Sequence, residues 1–104
     1  MQTFIDLRGA SGALYRFRLW PDGAAHVPIA GNYVFVKADS EGVGVLLVGA
    51  TNNLSQARAD WSRVAGRGAT HVFTRLNVVR AERMAQHADV AAAHPSALSS
   101  EAVD

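Results

Sequence analysis

The 104-residue chain has no cysteine and no long apolar run, and each absence excludes something. Without cysteine there are no disulfides, no thiolate zinc sites and no cysteine nucleophile. No apolar run approaches the roughly 18 residues that a membrane helix needs. The longest, 43–50, is interrupted by Gly44 and Gly49, so no membrane partner is expected. The opening MQTFIDLR has an acid and no basic segment before an apolar stretch; it reads as a strand rather than a secretory signal, and the expected location is the cytoplasm. What remains is the balance of an ordinary globular domain, 49% hydrophobic and 18% charged, with length for one core and hence one principal site.

Net charge is +1, but it is unevenly spread. Residues 1–57 balance Arg8, Arg16, Arg18 and Lys37 against Asp6, Asp22, Asp39 and Glu41. The segment 58–83 then holds Arg58, Arg63, Arg67, Arg75, Arg80 and Arg83 against Asp60 and Glu82 alone. Two readings follow: solvated helix faces, or a patch that faces phosphates of DNA or RNA.

Along the chain, TFIDLRGASGALYRFRLW alternates apolar and polar residues on both sides of Gly9-Ala10-Ser11-Gly12, which is a hairpin signal. PDGAAHVPIA is a connector. GNYVFVKA, turn residues DSEG and VGVLLVGA predict two antiparallel neighbours, the second without alternation, as in a strand covered on both faces. Asn53 and Gln56 have capping-box spacing before a helix whose face is Leu54, Ala57, Trp61, Val64 and Ala65, ended by Gly66 and Gly68. ATHVFTRL is a fifth strand. Asn77 is placed to cap a last helix running to His94, with Ala81, Ala85, Ala88 and Ala92 as a narrow seam toward the sheet, and Pro95 stops it. The expected fold is α/β (α+β), a small mixed or antiparallel sheet flanked by helices in the order β-β-β-β-α-β-α. Residues 1–95 form a single domain and 96–104 a frayed tail.

GNYVFV, LLVGATNNL, a helix, GATHVFTRL and a helix closing on HP together resemble the GIY-YIG nuclease domain, with 31–95 as the core and 1–20 as an added hairpin. The resemblance implies a three-stranded antiparallel sheet flanked by helices and phosphodiester cleavage with one divalent metal ion. It places Tyr33 where the family has its first reactive tyrosine. The second falls at Leu47, the helix arginine at Ala57 with Arg58 one position late, and the metal-holding glutamate at Gln86 or His87. One residue is about 100° of helix rotation, so Arg58 is out of register. Cleavage needs an activating group, a positive charge and a hard oxygen ligand for the metal, and several of these are replaced together.

Three readings stay open. The first is a catalytically degenerate domain that binds nucleic acid or protein, with Tyr33 and Arg58 as remnants and Arg75, Arg80, Arg83 and His87 as the binding group. The second is a working nuclease using Mg2+ or Mn2+ through relocated residues. The third is a structural or self-associating module. No cofactor is expected outside the second. His87 and His94 lie roughly 10 Å apart along the helix, too far for one ion, and read as a surface pair. Trp61 shares the stripe of Leu54 and Val64 and reads as core, or else as an exposed stacking surface.

Overall fold

The computed structural model describes residues 2–101, which form a mixed six-stranded sheet with helical segments on its two faces. The strands are β1 (Phe4–Arg8), β2 (Leu14–Leu19), β3 (Gly31–Asp39), β4 (Gly42–Thr51), β5 (His71–Leu76) and β6 (Leu98–Glu101). Their spatial order is β1-β2-β5-β3-β4-β6, antiparallel throughout except for the parallel β4–β6 pair. Between β4 and β5 the chain makes a 3-10 turn (Leu54–Asp60), the short α1 (Trp61–Val64) and a second 3-10 turn (Ala65–Arg67). The longer α2 (Arg80–Ala93) precedes β6.

The alternation of β3 sorts the core into two layers. Tyr33 and Phe35 point to one face, where Leu47, Leu54, Ala57, Val64 and Val72 pack. Val34 and Val36 point to the other, with Ile5, Phe17, Val48, Phe73 and Val90. The first face is covered by the helical segment 54–67 and the second by α2. β3 and β4 are therefore buried on both sides, as the unalternating run in β4 suggests. A bulge between Phe35 and Val36 puts an extra β4 residue, Leu46, on the same face as Leu47, which lets both pack into the first layer.

Capping by Asn53 is observed, its Oδ1 accepting from the Ser55 amide at 3.0 Å. Gly68, at φ +89°, supplies the left-handed residue that ends the helical segment. Trp61 packs edge-on against Phe35, as a core residue does.

Three expectations are corrected. The alanine seam of α2 faces solvent: Ala81, Ala85, Ala88 and Ala92 are exposed, while Arg83, His87 and Val90 are buried. Arg83 and His87 occupy the inner face because the Arg83 guanidinium and His87 Nε2 find partners there, and alanine needs no burial to favour a helix. Asn77 does not cap α2, whose N-cap is Val79 without a side-chain bond; its amide is engaged elsewhere. The expected frayed tail forms β6 over residues 98–101, while 102–104 lie outside the described residues. β6 has no apolar alternation of its own. It exists because the β4 edge offers backbone partners and because Leu98 reaches the first core layer.

Two glycines test the packing of the sheet. A Cβ on Gly31 would overlap the Arg75 carbonyl and a Leu54 methyl, whereas one on Gly66 meets open space. Gly31→Ala is expected to cost about 1–3 kcal/mol from overpacking, and Gly66→Ala to stay within about 0.5 kcal/mol. Urea unfolding midpoints at unchanged slope check both; equal midpoints would show that the β3–β5 approach tolerates a methyl group.

Candidate functional site

The residues that the GIY-YIG resemblance singles out do not meet. Tyr33 is buried and its ring lies where a Cβ on Gly49 would sit. The phenol donates to the Asp60 carboxylate and lies 3.2 Å from Ser100 Oγ. Burial first, and then the bond to Asp60, push its pKa far above the ordinary tyrosine range. A phenol held this way is a fixed donor and not a proton acceptor. Asp60 in turn has Arg63 at 3.9 Å.

Arg58 points elsewhere, as its register demands. Its guanidinium donates to the carbonyls of Trp20, Pro21 and Ala24 at 3.0, 2.7 and 3.3 Å and lies 4.1 Å from the Trp20 ring centre. It straps the 20–24 connector to the helical segment.

Behind the sheet, on the α2 side, lies a polar network. Asn32 Nδ2 donates to the Arg83 carbonyl at 2.9 Å, and Asn77 Nδ2 to Asn32 Oδ1 and Gln86 Oε1 at 3.0 and 2.9 Å. Arg75 Nε donates to the same Gln86 oxygen at 3.0 Å, and the buried Arg83 guanidinium to the carbonyls of Asn77 and Val78. Asn32 and Tyr33 are consecutive on β3, so the sheet separates this network from the tyrosine. The expected binding group is thus dispersed: Arg83 and His87 are buried, Arg75 is half-buried, and only Arg80 is exposed on the first turn of α2. The residues present do not fit the divalent ion that the resemblance implies. Gln86 offers an amide oxygen that already serves two donors, and among the described residues no three His, Asp or Glu side chains gather closely enough to hold a metal.

His87 is not one of a surface pair. It is 2% exposed, with Nε2 2.9 Å from Ser99 Oγ and 3.1 Å from Glu101 Oε1. Both contacts fall on one ring nitrogen, whereas a hydrolytic triad needs the serine and the acid on opposite nitrogens. The histidine fastens β6 to α2.

What the fold does assemble is a groove of about 490 Å3 on the first face, beside β2 and β5, where the helical segment gives no cover. Its floor carries Arg16 and Arg18 from β2 and Thr74 and Leu76 from β5; the connector supplies Trp20, Pro21, His26 and Val27 as a wall. That wall is fixed. Trp20 Nε1 donates to the Ala24 carbonyl at 2.8 Å, His26 meets the Trp20 ring edge-on, and the two His26 nitrogens lie 2.9 Å from the Val27 carbonyl and 2.7 Å from Thr74 Oγ1. A carbonyl only accepts, so Nδ1 carries a proton toward Val27, and Nε2 is left to bond the Thr74 hydroxyl, which can donate or accept. β2 and β5 pair only at Arg18–Thr74 and Leu19–Phe73; beyond them the strands part, and Arg75 reaches the Arg16 carbonyl at 3.3 Å. Arg16 forks onto Asp6 at 2.9 and 3.1 Å and lies 3.8 Å over Phe4. Arg18 is exposed and has no hydrogen-bond or ion-pair partner among the described residues.

Sequence reading identified the hairpin but missed this site. The signal was present in Tyr15-Arg16-Phe17-Arg18-Leu19, where a period of two puts both arginines on one face. That the face would be left bare depended on where the helices lie. No protein-family model, no curated protein and no solved structure matches the chain.

Two predictions concern the buried polar groups. Tyr33→Phe removes a hydrogen bond to a carboxylate and is expected to cost about 1.5–3 kcal/mol, with the loss strongly reduced in an Asp60→Asn background. Additive losses would show that the phenol and the carboxylate act separately.

Burial holds the His87 pKa below its ordinary value, against the opposing Glu101 charge and the Gly49 backbone. The unfolded chain therefore takes up a proton first, so stability is full above pH ~6.5 and falls as the pH drops from there toward the lowered native value. His87→Gln is expected to flatten that part of a stability-versus-pH curve. A wild-type curve already flat between pH 7 and 5 would contradict the assignment. Asp89, held below the usual carboxylate range by Ser11 and Tyr15, acts only in more acidic solution.

Proposed function

We propose that this chain is a catalytically degenerate GIY-YIG-like domain that binds nucleic acid, DNA or RNA, without cutting it. The observation that carries the reading is the groove whose floor bears Arg16 and Arg18, in which the Arg18 side chain has no partner among the described residues and the walls are preformed. Loss of cutting is supported by what stands at the positions of the reactive groups. Leu47 and Ala57 are packed into the first core layer, Ala50 is buried, and Gln86 is bonded to Arg75 and Asn77. The basic surface is moved by this reading from the flank of α2 to the bare half of the sheet, where Arg16 and Arg18 of β2 take the place of the 58–83 arginines.

Phosphate contacts release counterions, so affinity should fall linearly on a log–log plot against salt. With about two phosphates engaged, the loss is roughly tenfold between 50 and 200 mM salt. Fluorescence anisotropy with labelled DNA and RNA oligonucleotides measures this, and Arg18→Ala is expected to reduce the slope by about one contact. Affinity indifferent to salt would count against phosphate recognition. Incubation of the same oligonucleotides with Mg2+ or Mn2+ is expected to leave them intact; cleavage that disappears in Tyr33→Phe would establish the nuclease reading instead.

A further inference from the structure

We infer that the groove takes single-stranded nucleic acid, seating one unpaired base against its apolar lining while the arginines contact the flanking phosphates; this rests on the nucleic-acid reading above. A volume of about 490 Å3 lies within the range of pockets that enclose small organic ligands. It is recessed below the connector and lined in part by Leu76 and Val27, which are 57% and 50% exposed. An apolar recess of this kind contributes nothing to a duplex, whose bases are stacked and paired, unless one is flipped out at a cost in stacking and pairing. A single strand presents its bases without that cost, and every base has a face that packs on apolar or planar groups.

The polar groups around the recess suit the same ligand. Arg16 and Arg18 are two residues apart on one face of β2, which sets their Cα atoms about 7 Å apart along a line. Asp6 balances Arg16, so Arg18 supplies the unbalanced charge, while the Arg75 guanidinium is turned to the α2 side of the sheet. The Arg16 guanidinium, backed by Phe4 at 3.8 Å, is a flat surface of the sort on which unpaired bases stack. Rigidity adds to the case. Arg58 holds three connector carbonyls and His26 bridges to Thr74, so the recess exists before any ligand arrives and little ordering is needed on binding.

The test uses the full chain with labelled 12-nucleotide oligo-dT, oligo-U and a 12-base-pair DNA duplex at 100 mM salt. Either single strand should bind at least tenfold more tightly than the duplex. Arg18→Ala and Leu76→Asp, both at exposed positions, should each remove at least tenfold of that affinity, whereas Arg67→Ala should not. In a Trp61→Phe background the remaining Trp20 reports on the groove, and its emission should change with oligo-dT and not with inorganic phosphate alone. The ratio of oligo-dU to oligo-U affinities assigns the sugar, since those two strands differ in the sugar alone. Duplex binding equal to or tighter than single-strand binding overturns this inference and leaves the nucleic-acid reading standing. Single-strand binding untouched by both groove variants also overturns it, by placing the site elsewhere. Absence of binding to all three overturns both, and the groove then belongs to a protein partner or to none.

Discussion

The ring of Tyr33 occupies the space beside Gly49 that any larger residue would need, and three parts of the chain are tied together there. Below the ring is the β3–β4 pair; its hydroxyl reaches Asp60 in the helical segment and Ser100 in β6. Glycine at 49 is required because two strands and a flat ring must approach within van der Waals distance. This contact sets where the helical segment lies, and that in turn decides which half of the sheet is sealed and which half stays open. The tyrosine that a resemblance to GIY-YIG nucleases would mark as reactive is in this molecule a structural tie.

Under α2 the same substitution of role recurs. A helix that carries Arg83, Gln86 and His87 inward would be unstable against a purely apolar sheet, since each unpaired polar group costs free energy on burial. Asn32, Asn77, Arg75, Ser99 and Glu101 supply the partners, and the helix is consequently locked in one rotation with Ala81, Ala85, Ala88 and Ala92 outward. A glutamine at 86 suits this arrangement. It accepts from two donors without bringing a second charge beside Arg75 into a partly buried site.

The uncovered half of the sheet follows from a shortage of helix. Two helical segments cover β3 and β4 on both sides, but only α2 extends toward β1, where Asp89 gathers the Ser11 amide and hydroxyl and the Tyr15 hydroxyl. Among the described residues no helix faces the opposite side of β1 and β2, which carries Arg16, Arg18 and Asp6 with the exposed Phe4 and Leu14. Charged and apolar groups are interleaved there beside a rigid wall, and the nucleic-acid proposal rests on that surface.

Much of this was legible in the residues themselves. The hairpin at 4–19, the antiparallel β3–β4 pair, the Asn53 cap and the Gly68 stop follow from local chemistry: alternation, turn residues and backbone freedom act over a few positions and need no distant partner. Out-of-register Arg58 was likewise foreseeable from helix rotation alone. β6, the rotation of α2, the burial of His87 and the groove were decided by tertiary structure. A Ser-Ser-Glu segment becomes a strand only beside an open edge, histidine and arginine turn inward only where carbonyls, amides and hydroxyls await them, and a pair of arginines on a hairpin becomes a site only when no helix lies over it. Local sequence determined the elements other than β6; the packing of those elements added β6 and determined which polar groups are sealed as structure and which face solvent.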